Sequence, residues 1–115
     1  MTKYLVNQST IDKIVFKYLD LNLKGLEKRK AKYFEGIVFG YPNEEFGLFG
    51  LDNNGTLFIY HGRFELIDKI CSFFGLNHSD SKSIIGRWFS DRFQLEVINI
   101  QIKGNIKHFM SDRHL

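Results

Sequence analysis

A chain of 115 residues, 43% hydrophobic and 25% charged, has the balance of one globular domain with its own core, which excludes a disordered chain. Its single cysteine, Cys71, excludes an intrachain disulfide, and no apolar run approaches the length of a membrane span. A net charge of +3 is smaller than a dedicated nucleic-acid domain usually carries.

The distribution of charge says more than its sum. Residues 20–33 hold Lys24, Lys28, Arg29, Lys30 and Lys32 against Asp20 and Glu27, so the whole net charge of +3 resides in one segment. Aromatic residues make up 16% of the chain while Ala31 is its only alanine. The core is therefore expected to be built from large rings, with glycines making room for them. Abundant Ile, Asn, Lys and Phe point to an AT-rich gene, as in phage and other mobile elements. The first residues, MTKYLVNQST, lack a signal-peptide apolar core. With the lone cysteine, this gives the expectation of a cytoplasmic protein.

In chain order, Ile11, Ile14, Val15, Tyr18 and Leu19 recur at helical spacing, which predicts a helix over 10–21. Ser9 or Thr10 is the expected cap, Asp12 suits the helix dipole, and Asn22 and Gly25 are plausible stops. The basic segment follows, as a connector, a short helix or an extended stretch. From Tyr33 the period becomes two. Tyr33, Ile37, Phe39 and Tyr41 share one strand face, and Phe34, Gly36, Val38 and Gly40 the other. These glycines predict an aromatic from a neighbouring strand or helix packed against them. After a turn at Pro42 and Asn43, strands are expected at 45–51 and 56–61. DNNG between them suits a tight hairpin, with Asn54 and Gly55 tolerating positive φ.

A second helix is marked by the stripe Phe64, Ile67, Ile70, Cys71 and Phe74, closed by Gly75 as a left-handed cap. A third, near 80–92, has NHSD before it and Ile84, Ile85, Trp88 and Phe89 on its buried face. Gly86 inside that helix predicts close packing, and Asp91 can pair with Arg87. Residues 94–103 are strand-like, but their alternation slips between Val97 and Ile98, as a bulge or a strand buried on both faces would require. Residues 104–115 have no period and are expected to form a flexible tail. The expected fold is one α+β domain over 1–115. It has an N-terminal helix, a three-stranded antiparallel meander, two helices and a C-terminal strand, with the helices packed on one face of the sheet.

No chemistry-bearing motif emerges. The four histidines, His61, His78, His108 and His114, have no zinc-binding spacing, and no nucleophile elbow or phosphate-binding loop is present. Cys71 reads as a core residue. A cleft of Glu35, Glu96 and His61 is the one catalytic arrangement that folding the strands together suggests, and no spacing favours it. No cofactor and no metal site is expected. The expected function is therefore non-catalytic: a small protein that binds and blocks another protein, in the manner of a toxin-immunity or phage-type inhibitor protein. Lys28, Arg29, Lys30 and Lys32 would steer the encounter, and Tyr33 and Tyr41 would anchor it. The alternative is an RNA- or DNA-binding module. It would set the same cations on phosphates and stack bases on Tyr33, Tyr41, Phe58 and Tyr60.

Overall fold

A computed structural model of the chain describes residues 8–42, 44, 46–60, 62, 64–105 and 109–110. In chain order the elements are α1 (Gln8–Asn22), β1 (Glu27–Lys30), β2 (Gly36–Gly40), β3 (Phe49–Asp52), β4 (Thr56–Tyr60), α2 (Phe64–Phe74), α3 (His78–Phe93) and β5 (Asn99–Lys103). The strands form one sheet in the order β1-β2-β3-β4-β5, antiparallel except for the parallel pair β4 and β5. The α+β class and the central meander agree with the sequence reading. The sheet differs in two ways. It has a fifth strand, β1, made from the basic segment, and it is mixed, because α2 and α3 carry the chain back so that β5 enters beside β4 in the same direction. No helix among the described residues is long and apolar enough to cross a membrane.

One sheet face carries Ile37, Phe39, Phe49, Leu51, Leu57, Ile59, Ile100 and Ile102, and this is the face the helices cover. Phe89 of α3 lies between Phe39 and Phe49, with ring centroids 4.8 Å from each. Gly86 lets α3 close onto β5: a Cβ there would stand 2.9 Å from Ile100 Cδ1 and 3.3 Å from Val97 Cγ1. That is the close packing its place inside a helix predicts. Cys71 is half-buried at the core margin, with Sγ 3.1 Å from the hydroxyl of buried Ser81.

The opposite sheet face is lined by Gly36, Val38, Gly50 and Phe58, and its filler is Phe34. The Phe34 ring meets Phe58 edge-on at 5.8 Å, and Cβ atoms at Gly36 or Gly50 would stand 2.8 and 3.1 Å from it. The strand glycines thus accommodate an aromatic, as expected. It comes from the bend just before β2 rather than from a neighbouring strand or helix. Phe109 also packs here. It is fully buried, its ring is 5.5 Å from Tyr60, and its carbonyl accepts from Gly47 N–H at 2.7 Å. Phe109 and Met110, within the 104–115 stretch expected as a tail, thus contact the body of the domain.

Several local expectations are corrected. α1 has already begun at Gln8, so Ser9 and Thr10 lie inside it rather than capping it. Ile14, placed on the buried stripe, is 49% exposed. The expected hairpin joins β3 and β4 through residues 53–55, but Asn54 does not take the positive φ it was expected to tolerate. Gly55 alone takes positive φ (87°), and Asp52 Oδ1 accepts from Asn54 N–H (2.9 Å) and Thr56 N–H (3.0 Å). The Asn77 side chain caps α3, and the left-handed Gly75 ends α2 as expected. β5 is shorter than the strand-like run. Residues 95–98 are a connector in which Ile98 N–H reaches Gly55 O (2.7 Å), and strand pairing begins at Asn99. The slipped alternation marks that junction, with no bulge needed.

Arg87 and Arg92 do not serve α3 alone. Arg87 makes a two-pronged contact with Asp12 of α1 (2.8 and 3.0 Å), not with Asp91. Asp20 accepts Arg92 at both oxygens (2.7 Å each) and the Trp88 indole N–H at 2.9 Å. These bonds bind one flank of α1 to α3. The hydrogen bond from Arg92 is the main cause that holds the Asp20 carboxyl below its ordinary value, against the opposing effect of desolvation. A depressed carboxyl contributes stability that is complete above its unfolded value, about pH 4, and is lost as pH falls through the folded value. Asp20→Asn is therefore expected to lower stability at neutral pH by up to about 1 kcal/mol, the range for an exposed pair. The gap from wild type should narrow as pH falls below the ordinary carboxyl range and the depressed Asp20 carboxyl takes up its proton, as read in urea melts. A gap that stays constant with pH would contradict the assignment.

Candidate functional site

The basic segment is built into the sheet edge by its apolar flanks. α1 ends at Asn22, where Asn22 Nδ2–H donates to Tyr18 O at 2.8 Å, and Gly25 (φ 87°) reverses the chain. Leu23 is buried and Leu26 partly so, which pins the turn to the core. At the far end Ala31 is buried and its N–H donates to Gly36 O at 3.0 Å. Between these anchors Glu27, Lys28, Arg29 and Lys30 pair with Gly40, Phe39, Val38 and Ile37 of β2.

Strand geometry then sorts the cations. Lys28 and Lys30 leave on the helix side, about 7 Å apart along the strand, and both are exposed. Lys24 in the preceding turn and Lys32 in the following bend are exposed as well. Among the described residues, none of these four ammonium groups has an acidic partner. Lys28 and Lys30 fall within one Debye length, about 8–10 Å, so their charges act together and the edge presents a positive strip.

Arg29 points to the other side and is not part of that strip. Its side chain is only 13% exposed. The guanidinium donates to Glu44 O at 2.6 Å, to Tyr41 O, and to Glu27 Oε1 at 3.3–3.4 Å. It ties the turn after β2 to the edge strand, which is a structural role that an exposed cation would not fill.

The two tyrosines also separate. Tyr33 is 59% exposed, with Lys32 Nζ 5.6 Å from its ring centroid. It borders an open depression of about 770 Å³, shared with Lys30, Lys32, Phe34, Glu35 and Asn53. Tyr41 is half-buried at the opposite end of β2, its hydroxyl 3.4 Å from Asn22 O and its ring against Gly25. The structure thus sets Lys28 and Lys30 on one side of β1, gathers Lys30, Lys32 and Tyr33 around one depression, leaves Lys24 exposed in the preceding turn, and engages Arg29 and Tyr41 within the fold. Lys24 had a signal in the sequence: it belongs to the same charge cluster. The separation of Arg29 from its neighbours was signalled only by Glu27 two residues before it, because its other partners are backbone carbonyls at residues 41 and 44.

The aromatic set does not form one platform. Phe58 is buried and Tyr60 half-buried on the face away from the helices, against Phe34 and Phe109 respectively. Tyr33 and Tyr41 lie beyond the two ends of β2. Of the suggested catalytic trio, His61 lies outside the described residues. Glu35 adjoins β2 and Glu96 lies in the connector into β5, with β3 and β4 between, and both are exposed. Among the described residues, no group of three or more His, Cys, Asp or Glu side chains could hold a metal ion. No protein-family model, curated protein or solved structure matches this chain.

Proposed function

We propose that this protein is a non-catalytic binding protein that occludes the surface of an acidic partner protein, with the β1 edge as its contact. The observation that carries the reading is the set Lys24, Lys28, Lys30 and Lys32: four exposed ammonium groups, two on the β1 edge and two in the turn and bend that flank it, without acidic partners among the described residues. Such a strip speeds encounter with an opposite charge more than it tightens the complex. Tyr33, exposed beside Lys32, supplies the apolar anchor that charge alone lacks. A toxin-immunity or phage-type inhibitor in the cytoplasm fits this mode of action, which needs a surface and no catalytic set. The absence of a shared aromatic platform favours a protein partner over single-stranded nucleic acid.

The test compares wild type with a Lys28→Gln, Lys30→Gln, Lys32→Gln variant as affinity baits against an extract of the source cell. Wild type is expected to retain a protein that salt releases, that survives nuclease treatment of the extract, and whose activity falls on stoichiometric addition of the bait. The variant should associate with that protein at least about tenfold more slowly, as loss of steering predicts. Retention abolished by nuclease would favour the nucleic-acid reading. Equal retention by the variant would remove the edge from the mechanism.

A further inference from the structure

The edge has a backbone as well as side chains. In an antiparallel ladder only alternate residues exchange hydrogen bonds with a given neighbour. The bond from Ala31 N–H to Gly36 O fixes the phase: Ala31, Arg29 and Glu27 turn their N–H and C=O toward β2. Lys28, Lys30 and Lys32 therefore turn theirs away from the sheet. Lys32 N–H is met by Met110 O at 3.0 Å, so one end of this outward row already accepts chain. Among the described residues, nothing meets the outward groups of Lys28 and Lys30.

We propose that the open edge of β1 takes an extended acidic segment of the partner as an added strand, bonded to the N–H and C=O of Lys28 and Lys30. This rests on the reading of the basic edge as the contact surface and specifies how the contact is made. Main-chain bonds of this kind give affinity, and alternate side chains give specificity. Carboxylates two residues apart in the added segment fall opposite Lys28 and Lys30 on the helix side of the sheet. The other side needs no new partner, because Arg29 is already engaged by Glu27 and the carbonyls of Tyr41 and Glu44.

Lysines on an edge strand commonly prevent pairing. Here the same charges make the edge selective. A second copy of this chain would set lysine against lysine across the new ladder, which is unfavourable, whereas an acidic strand meets complementary charge. The surface is thus closed to its own kind and open to one class of segment.

The probe is a short, end-blocked peptide alternating glutamate and threonine, with its lysine–threonine counterpart as control, added to the full chain. The first readout is amide hydrogen exchange residue by residue. In the free protein the Lys28 and Lys30 amides should exchange as open groups while Arg29 is protected. The acidic peptide should slow Lys28 and Lys30 by about tenfold or more and leave Arg29 unchanged. The second readout is peptide affinity in two variants. Lys30→Gln removes the charge and keeps the donor. Lys30→Pro also removes the outward N–H, without touching a bond to β2. Lys30→Pro should bind about tenfold more weakly than Lys30→Gln, the equivalent of one hydrogen bond.

Peptide binding without protection of Lys28 and Lys30, amides already protected in the free chain, or equal affinity of the two variants would each overturn strand addition. Binding that remains salt-sensitive in those cases leaves the basic-edge reading standing. Failure of the acidic peptide to bind, or binding equal to that of the control peptide, overturns both. The exchange measurement on wild type does not depend on whether Lys30→Pro folds.

Discussion

Phe89→Ala is expected to remove about 3–5 kcal/mol of folding stability, the largest effect of any single truncation considered for this protein. Phe89 is fully buried, and its ring meets those of Phe39 and Phe49 at 4.8 Å, Trp88 at 5.0 Å and Phe93 at 5.7 Å. It is the joint between α3 and the sheet. The cost of such a truncation depends on how far the surroundings collapse into the space left. Here the walls are other rings, which move as rigid plates, on a hydrogen-bonded ladder of strands. A domain of ordinary stability has about 5–15 kcal/mol in all, so the variant would lose a large part of it. The midpoint of urea unfolding should fall while the slope stays unchanged. Phe73→Ala is the contrast. Phe73 is 62% exposed on α2 and touches Tyr18 and Phe74 edge-on. Its truncation should cost less than about 1 kcal/mol. Equal losses at the two positions would mean that Phe89 does not hold the layers together.

Gly36→Ala carries the second large expected effect, about 1–3 kcal/mol or more, from one added methyl group. A Cβ at Gly36 would stand 2.2 Å from Leu51 O and 2.8 Å from both Asp52 Cα and Phe34 Cε2. Two of those atoms are backbone of β3, held in the ladder with β2, and cannot step aside as a flexible side-chain tip would. The ring of Phe34 would have to leave Phe58, or β2 would have to separate from β3. Because Gly36 O also accepts from Ala31 N–H, the strain should reach the basic edge and speed amide exchange at Ala31. Gly104→Ala is the control: nothing lies within 4 Å of its added Cβ, and its stability should stay within about 0.5 kcal/mol of wild type. If both variants unfold at the same urea concentration, Gly36 is not the tight place in the sheet.

Helical spacing already places Phe89 in the core, but it leaves open the roles of Phe73 and of the strand glycines. Phe73 and Phe74 are adjacent and chemically identical. Helical spacing placed Phe74 on the core stripe, but only the packing of α1 and α2 determines that Phe73 keeps most of its surface in water. The strand glycines signalled a nearby ring, but the ring was local, from Phe34, where a neighbouring element had been expected. A bend of the chain onto its own strand leaves no periodic trace.

What the sequence determined by itself was the order of elements that bury an apolar stripe or alternate across a pleat. Ile84, Ile85, Trp88 and Phe89 at helical spacing, the period-two run through Ile37 and Phe39, and the glycine ending α2 are local patterns read by local physics. The tertiary structure alone decided β1, because Glu27–Lys30 has no apolar face and becomes a strand only where β2 offers it a ladder. It alone divided the cations, sending Lys28 and Lys30 outward and drawing Arg29 onto carbonyls fifteen and twelve residues away. Periodicity records which side of an element meets the core. It holds no record of which backbone groups another part of the chain will bring within reach, and at this edge those groups decide which charges are left for a partner.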